Sequence, residues 1–127
     1  MPSPVRFARY VLWVHVVVAA AASVPLLFFA GRAARRVEWV PLDPTMAKML
    51  GAALLALAVG SLLAARDPLR HRVIVQMEIV YTALSAAVLA YRLLRFPALT
   101  PDIAWVWLAL FALFCLLFSV TYPRAAR

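Results

Sequence analysis

Four runs of about twenty apolar residues dominate this chain, at 10–30, 46–65, 72–94 and 103–122. At a rise of about 1.5 Å per residue, each makes a helix of about 30 Å, the thickness of the hydrocarbon core of a bilayer. A globular fold of 127 residues cannot hide four such runs from water. The chain is 67% hydrophobic and 14% charged, where a soluble domain carries about 45–50% and about 25%. Its mean hydropathy is +0.93. The sequence therefore predicts an all-α integral membrane protein, a single transmembrane domain over 1–127. Short connections force consecutive helices to run antiparallel, which gives an up-down four-helix bundle.

The ends of the runs carry the expected boundary chemistry. Gly31, before "RAARR", is the predicted C-terminal stop of the first helix. In "PLDPT", Pro44 and Thr45 precede the second helix, with Thr45 as the predicted N-cap. "RDPLRHR" reads as a tight basic turn, "RFPALTPD" repeats the Pro/Asp pattern, and Pro123 closes the last helix. Trp39, Trp105 and Trp107 fall near one end of the bundle, and Trp13 and Tyr122 near the other, as an aromatic belt. Ser23 and Pro25 predict a kink in which the serine helps to satisfy the freed backbone. Arg6 and Arg9 followed by an apolar core and "AAAAS" have the elements of a cleaved signal peptide. The run continues through "VPLLFFA", however, and so reads as a first span.

The formal charge of +8 comes from twelve arginines and one lysine, interspersed between the apolar runs at headgroup level. That placement predicts the lipid bilayer and its anionic headgroups as partners, at about 1 kcal/mol per basic residue. It does not form a nucleic-acid patch. Seven basic residues (Arg6, Arg9, Arg66, Arg70, Arg72, Arg124, Arg127) fall on the side of the termini and six (Arg32, Arg35, Arg36, Lys48, Arg92, Arg95) on the other. The compact basic turn at 66–72 places the termini in the cytoplasm.

Inside the apolar runs the polar residues are few, and Glu78 is the costly one. An acid at the centre of a membrane helix costs roughly 2.5–3.5 kcal/mol on insertion scales. Seven-residue spacing aligns His71, Glu78, Ser85 and Arg92, flanked by Tyr81 and Thr82, and this row should face the bundle interior. Arg92, near the helix end, should snorkel. His15 lies about 7–8 Å into its run and Glu78 about 9 Å into its own, on the same membrane side. Ser61, Cys115 and Ser119 come from the other two helices at similar depth. His15, Ser61, Glu78, Tyr81, Thr82 and Ser85 therefore form the candidate ligand or proton site. Glu78 can serve there as a packing determinant, a proton or ligand anchor, or a contact for a partner protein. Ala52, Ala56, Gly60 and Ala64, spaced by four, form a predicted small-residue ridge for helix packing.

No catalytic residue, metal or cofactor is assigned. Metal-ligand spacings, phosphate loops and nucleophile motifs are lacking from the sequence. One intramembrane histidine cannot supply two haem ligands from a single chain. Cys115 is the only cysteine, which excludes an intrachain disulfide.

The segment "KMLGAALLALAVGSLLAARDPLRHRVIVQMEIVYTALSAAVLAYRLL" resembles small bacterial membrane proteins of the DoxX-like kind. The shared features are four helices, a small-residue second helix that starts with glycine, and a short basic turn before the third. The resemblance covers about residues 46–94 and implies a four-helix fold in a bacterial inner membrane, with little about activity. Three functions fit the residues. The first is a non-enzymatic membrane protein that binds a lipophilic ligand or supports a membrane assembly, as a homo-oligomer or with another membrane protein. The second is a proton-coupled transporter that resembles the small multidrug resistance family in size and helix count and uses Glu78. That family carries its acid in the first helix, where this chain has His15. The third is a membrane enzyme with His15 and Glu78 as an acid–base pair.

Overall fold

Helix formation begins at a proline. Pro4 opens α1 (Pro4–Phe28) at a helix start, where its missing N–H costs nothing. The computed structural model describes residues 4–36, 38 and 43–123. Trp39, Arg124 and Arg127 lie outside them, so their predicted places at the membrane surface do too. The chain continues as α2 (Ala30–Arg36), α3 (Pro44–Arg66), α4 (Arg72–Arg95), a 3-10 turn (Pro97–Leu99) and α5 (Ile103–Val120). No strand occurs among the described residues. α1, α3, α4 and α5 are long and apolar enough to cross a membrane, as an integral membrane protein requires.

Three boundary expectations change. Gly31 does not stop the first helix but lies inside α2, and no glycine among the described residues takes a positive φ. The break falls at Phe29 and is slight: Phe29 N donates to Pro25 O and Ala33 N to Phe29 O, each at 2.9 Å. Alanine and arginine in "AGRAARR" are strong helix formers and carry the helix past the glycine. The cap of α3 is Asp43, not Thr45: Asp43 Oδ1 accepts from Thr45 N at 2.8 Å, with Pro44 as the first helical residue. Asp43 is extended, as an N-cap must be, and Pro44 holds its preceding residue there. Ser23 donates to Ala20 O at 2.8 Å. The carbonyl left without a donor by Pro25 is that of Ala21, four residues before it, so the serine bonds its neighbour instead.

Cross-helix pairs fix the topology. Arg9 meets Arg66, His15 meets Ser61, and Gly51 meets Leu26 and Leu27, so α3 runs antiparallel to α1. Gln76 meets Tyr122, Ile79 meets Cys115 and Tyr81 meets Phe111, so α5 runs antiparallel to α4. These two hairpin-like pairs make the most extensive contacts, and α3 and α4 join them. The result is the up-down bundle that the short connections predict. Its core gathers in one half of the bundle, around Leu12, Ala64, Ala65, Val75, Phe114 and Phe118.

The small-residue ridge on α3 is not where four-residue spacing puts it. Ala52 and Ala56 are exposed, Gly60 is half-buried, and only Ala64 is fully enclosed. The buried line runs Ala47, Gly51, Leu54, Ala58, Ser61, Ala65. Steps of four on a helix of 3.6 residues per turn drift by about 40° each, whereas alternating steps of four and three stay on one face. Gly51 makes the closest approach, since a Cβ there would lie 3.0 Å from Leu26 Cβ and 3.1 Å from the Leu27 backbone nitrogen. Gly60 of the predicted ridge also meets a neighbouring helix, where a Cβ would lie 3.3 Å from Ile74 Cγ2 of α4.

Candidate functional site

Ser61 sits on the buried line of α3, and that position sets up the site. The Ser61 hydroxyl donates to Glu78 Oε1 on α4 at 2.7 Å and lies 2.9 Å from His15 Nδ1 on α1. His15 Nδ1 is itself 3.7 Å from Glu78 Oε1. Three helices are thus joined by three side chains that are all buried, Glu78 at 0% exposure. A hydroxyl is the one side chain that donates and accepts through a single atom, so serine can link an acid to an imidazole. Glu78 Oε2 has no hydrogen-bond partner and is the only buried side-chain polar atom in that state among the described residues.

Aromatic rings from α5 clamp the histidine. Phe114 and Phe118 meet His15 edge to face, with centroids 4.8 Å and 5.2 Å away and interplanar angles of 72° and 81°. They stand one helical turn apart and stack on each other at 5.8 Å. This wall fixes the ring plane so that Nδ1 stays aimed at Ser61. Sequence reading missed both residues, because two phenylalanines in an apolar run do not stand out from lipid-facing ones.

The other predicted site residues do not join the chain. Thr82 is buried on the same face of α4, but its hydroxyl donates to Glu78 O at 2.7 Å and is spent on its own helix. Tyr81 packs edge to face on Phe111 at 5.9 Å. Ser119 donates to Cys115 O on its own helix, and Cys115 Sγ lies 3.9 Å from Ile79 O. His71 is the N-cap residue of α4, with its Nδ1 3.0 Å from Asp67 O, and Arg92 is exposed. The seven-residue row drifts by about 20° per step on a straight helix, which turns both of its ends away from the interior.

Glu78 is sealed. A cavity of about 20 Å³ between α1 and α5 is walled by His15, Ala19, Trp107, Phe111 and Phe114 among others, and Glu78 does not line it. Apart from the ring nitrogens of His15 and Trp107 its lining is apolar. A larger open recess of about 540 Å³, lined by Glu38, Arg92, Asp102 and 97–101, lies at the opposite end of α4. No group of His, Cys, Asp or Glu able to hold a metal occurs among the described residues. The chain matches no known family model, no curated protein and no solved structure.

Proposed function

We propose that this chain is a small, non-enzymatic membrane component that supports a membrane assembly, with the His15–Ser61–Glu78 contact fixing how its helices pack. The enclosure of Glu78 is the observation that supports this reading. The polar side chains at that depth bond to one another or to their own helices. What α4 and α5 offer outward at membrane depth is an apolar surface with Val80, Leu84, Val88, Leu113 and Leu116 on it. An enzyme would need His15 and Glu78 to touch one substrate, and a transporter would need a path for cargo to Glu78. The sealed carboxyl weighs against both. A lipophilic ligand would have to lie outside the small His15 cavity.

On this reading the partners are lipids and either a second copy or another membrane protein. The basic turn at 66–72 faces anionic headgroups on the cytoplasmic side of a bacterial inner membrane. Extraction of the tagged full chain into polymer-bounded lipid discs tests the assembly. A second subunit at fixed stoichiometry, the same chain or another, is the expected result. A chain that remains monomeric at native expression in intact membrane patches would overturn the reading.

A further inference from the structure

The polar junction has the parts of a proton site, whether or not the chain belongs to an assembly. We infer that His15, Ser61 and Glu78 together bind one exchangeable proton, held on the carboxyl or on the imidazole and passed between them through the Ser61 hydroxyl.

Charge balance is the first reason. Among the described residues no arginine or lysine pairs with Glu78. The titratable groups nearest it are His15 from α1, Tyr81 from its own helix and Cys115 from α5, while α3 contributes only Ser61. Of these only His15 can carry a positive charge. A lone buried charge at membrane depth is costly unless it is paired. The site is electrically balanced in two forms alone: a neutral carboxyl with a neutral imidazole, or a carboxylate with an imidazolium. Both contain the same single proton beyond the carboxylate–imidazole pair.

The geometry lets these two forms interconvert without moving a heavy atom. In the first form Glu78 Oε1–H donates to Ser61 Oγ, Ser61 donates to His15 Nδ1, and the imidazole proton sits on Nε2. As the Oε1 proton passes to Ser61 Oγ, the Ser61 proton passes to Nδ1. The products are a carboxylate, an intact hydroxyl and an imidazolium protonated on both nitrogens. The distances of 2.7 Å and 2.9 Å are hydrogen-bond distances that such a relay needs. The unpartnered Glu78 Oε2 is the second observation: the carboxyl is not locked by a second bond that would hold it in one ionisation state. Of the carboxyl and the imidazole only His15 lines the small pocket between α1 and α5, so proton exchange with the outside is assigned to the imidazole. Loss of the Nε2 proton leaves Nδ1–H donating to Ser61 and Ser61 donating to the carboxylate.

The composition makes this testable. Glu38 and Glu78 are the only glutamates, and His15 and His71 the only histidines. δ-Carboxyl-¹³C glutamate and Nδ1-¹⁵N histidine in the full chain, reconstituted in lipid, therefore give two signals of each kind. Glu38 and His71, outside the junction, serve as internal references, and Glu38→Gln assigns the carboxyl signals without touching the site. We expect the Glu78 and His15 signals to titrate together at one midpoint. Ser61→Ala should split them or displace that midpoint by about one pH unit, tenfold in proton affinity. Signals that titrate at unrelated midpoints, that do not titrate between acid and alkaline unfolding, or that ignore Ser61→Ala would overturn the proposal.

Discussion

Ser61 and Glu78, seventeen residues apart on antiparallel helices, share a hydrogen bond of 2.7 Å in which neither residue is exposed. The bond spans the junction where the two helix pairs meet. It also answers why an acid is kept inside an apolar helix: Glu78 is the acceptor end of a contact that ties α1, α3 and α4 together.

Removal of the donor should therefore cost more than the bond itself. Interhelical hydrogen bonds in membranes average about 0.6 kcal/mol. An acceptor left buried and unpaired costs about 1–3 kcal/mol. Ser61→Ala strands Glu78 Oε1 beside an already unpartnered Oε2. It should destabilise the bundle by about 1–3 kcal/mol in SDS-titrated micelles. Glu78→Gln keeps an acceptor of the same shape and should cost less than Ser61→Ala. Equal stability of Ser61→Ala and the parent would mean that the bond does not form.

The packing line on α3 gives a paired test. Gly51→Ala puts a Cβ 3.0 Å from two leucine side-chain carbons and close to backbone, where little can give way. Overpacking of this kind costs about 1–3 kcal/mol. Ala56→Leu, on the exposed face of the same helix, should stay within about 0.5 kcal/mol. Melting temperatures in detergent that ranked the two variants the other way would restore the four-residue ridge.

Topology can be read by labelling. In a Cys115→Ala background, single cysteines at Arg36, Leu69 and Ala98 should react with a membrane-impermeant maleimide from two sides. Positions 36 and 98 belong to one side and 69 to the other, as antiparallel α1, α3, α4 and α5 require. Labelling of 36 and 98 from opposite sides would break the up-down arrangement.

Much of this was legible in the sequence because a bilayer leaves few choices. Length and hydropathy alone set α1, α3, α4 and α5, and short connections set their directions. The depth of His15 and Glu78 in their runs foretold their meeting, since α1 and α4 start on the same side of an up-down bundle and run parallel, which brings equal depths together. Rotation about each helix axis was harder. Ala52 and Gly51 differ by 100° of rotation, yet both are small residues in an alanine-rich run, and nothing local says which one faces α1. The same ambiguity hid the Phe114 and Phe118 wall and aligned Arg92, which is exposed, with the buried Glu78. Gly31 misled for another reason: glycine ends a helix only where a left-handed residue is needed, and here the chain stays helical.

The most direct test of the junction is a double-mutant cycle between α1 and α4. His15→Ala removes the imidazole, Glu78→Gln alters the carboxyl, and their combination is compared with the singles by unfolding in micelles. With His15 Nδ1 3.7 Å from Glu78 Oε1 and Ser61 bonded to both, the effects should be non-additive, with a coupling of roughly 0.5–2 kcal/mol. Additivity within about 0.3–0.5 kcal/mol, the behaviour of distant sites, would contradict a shared junction.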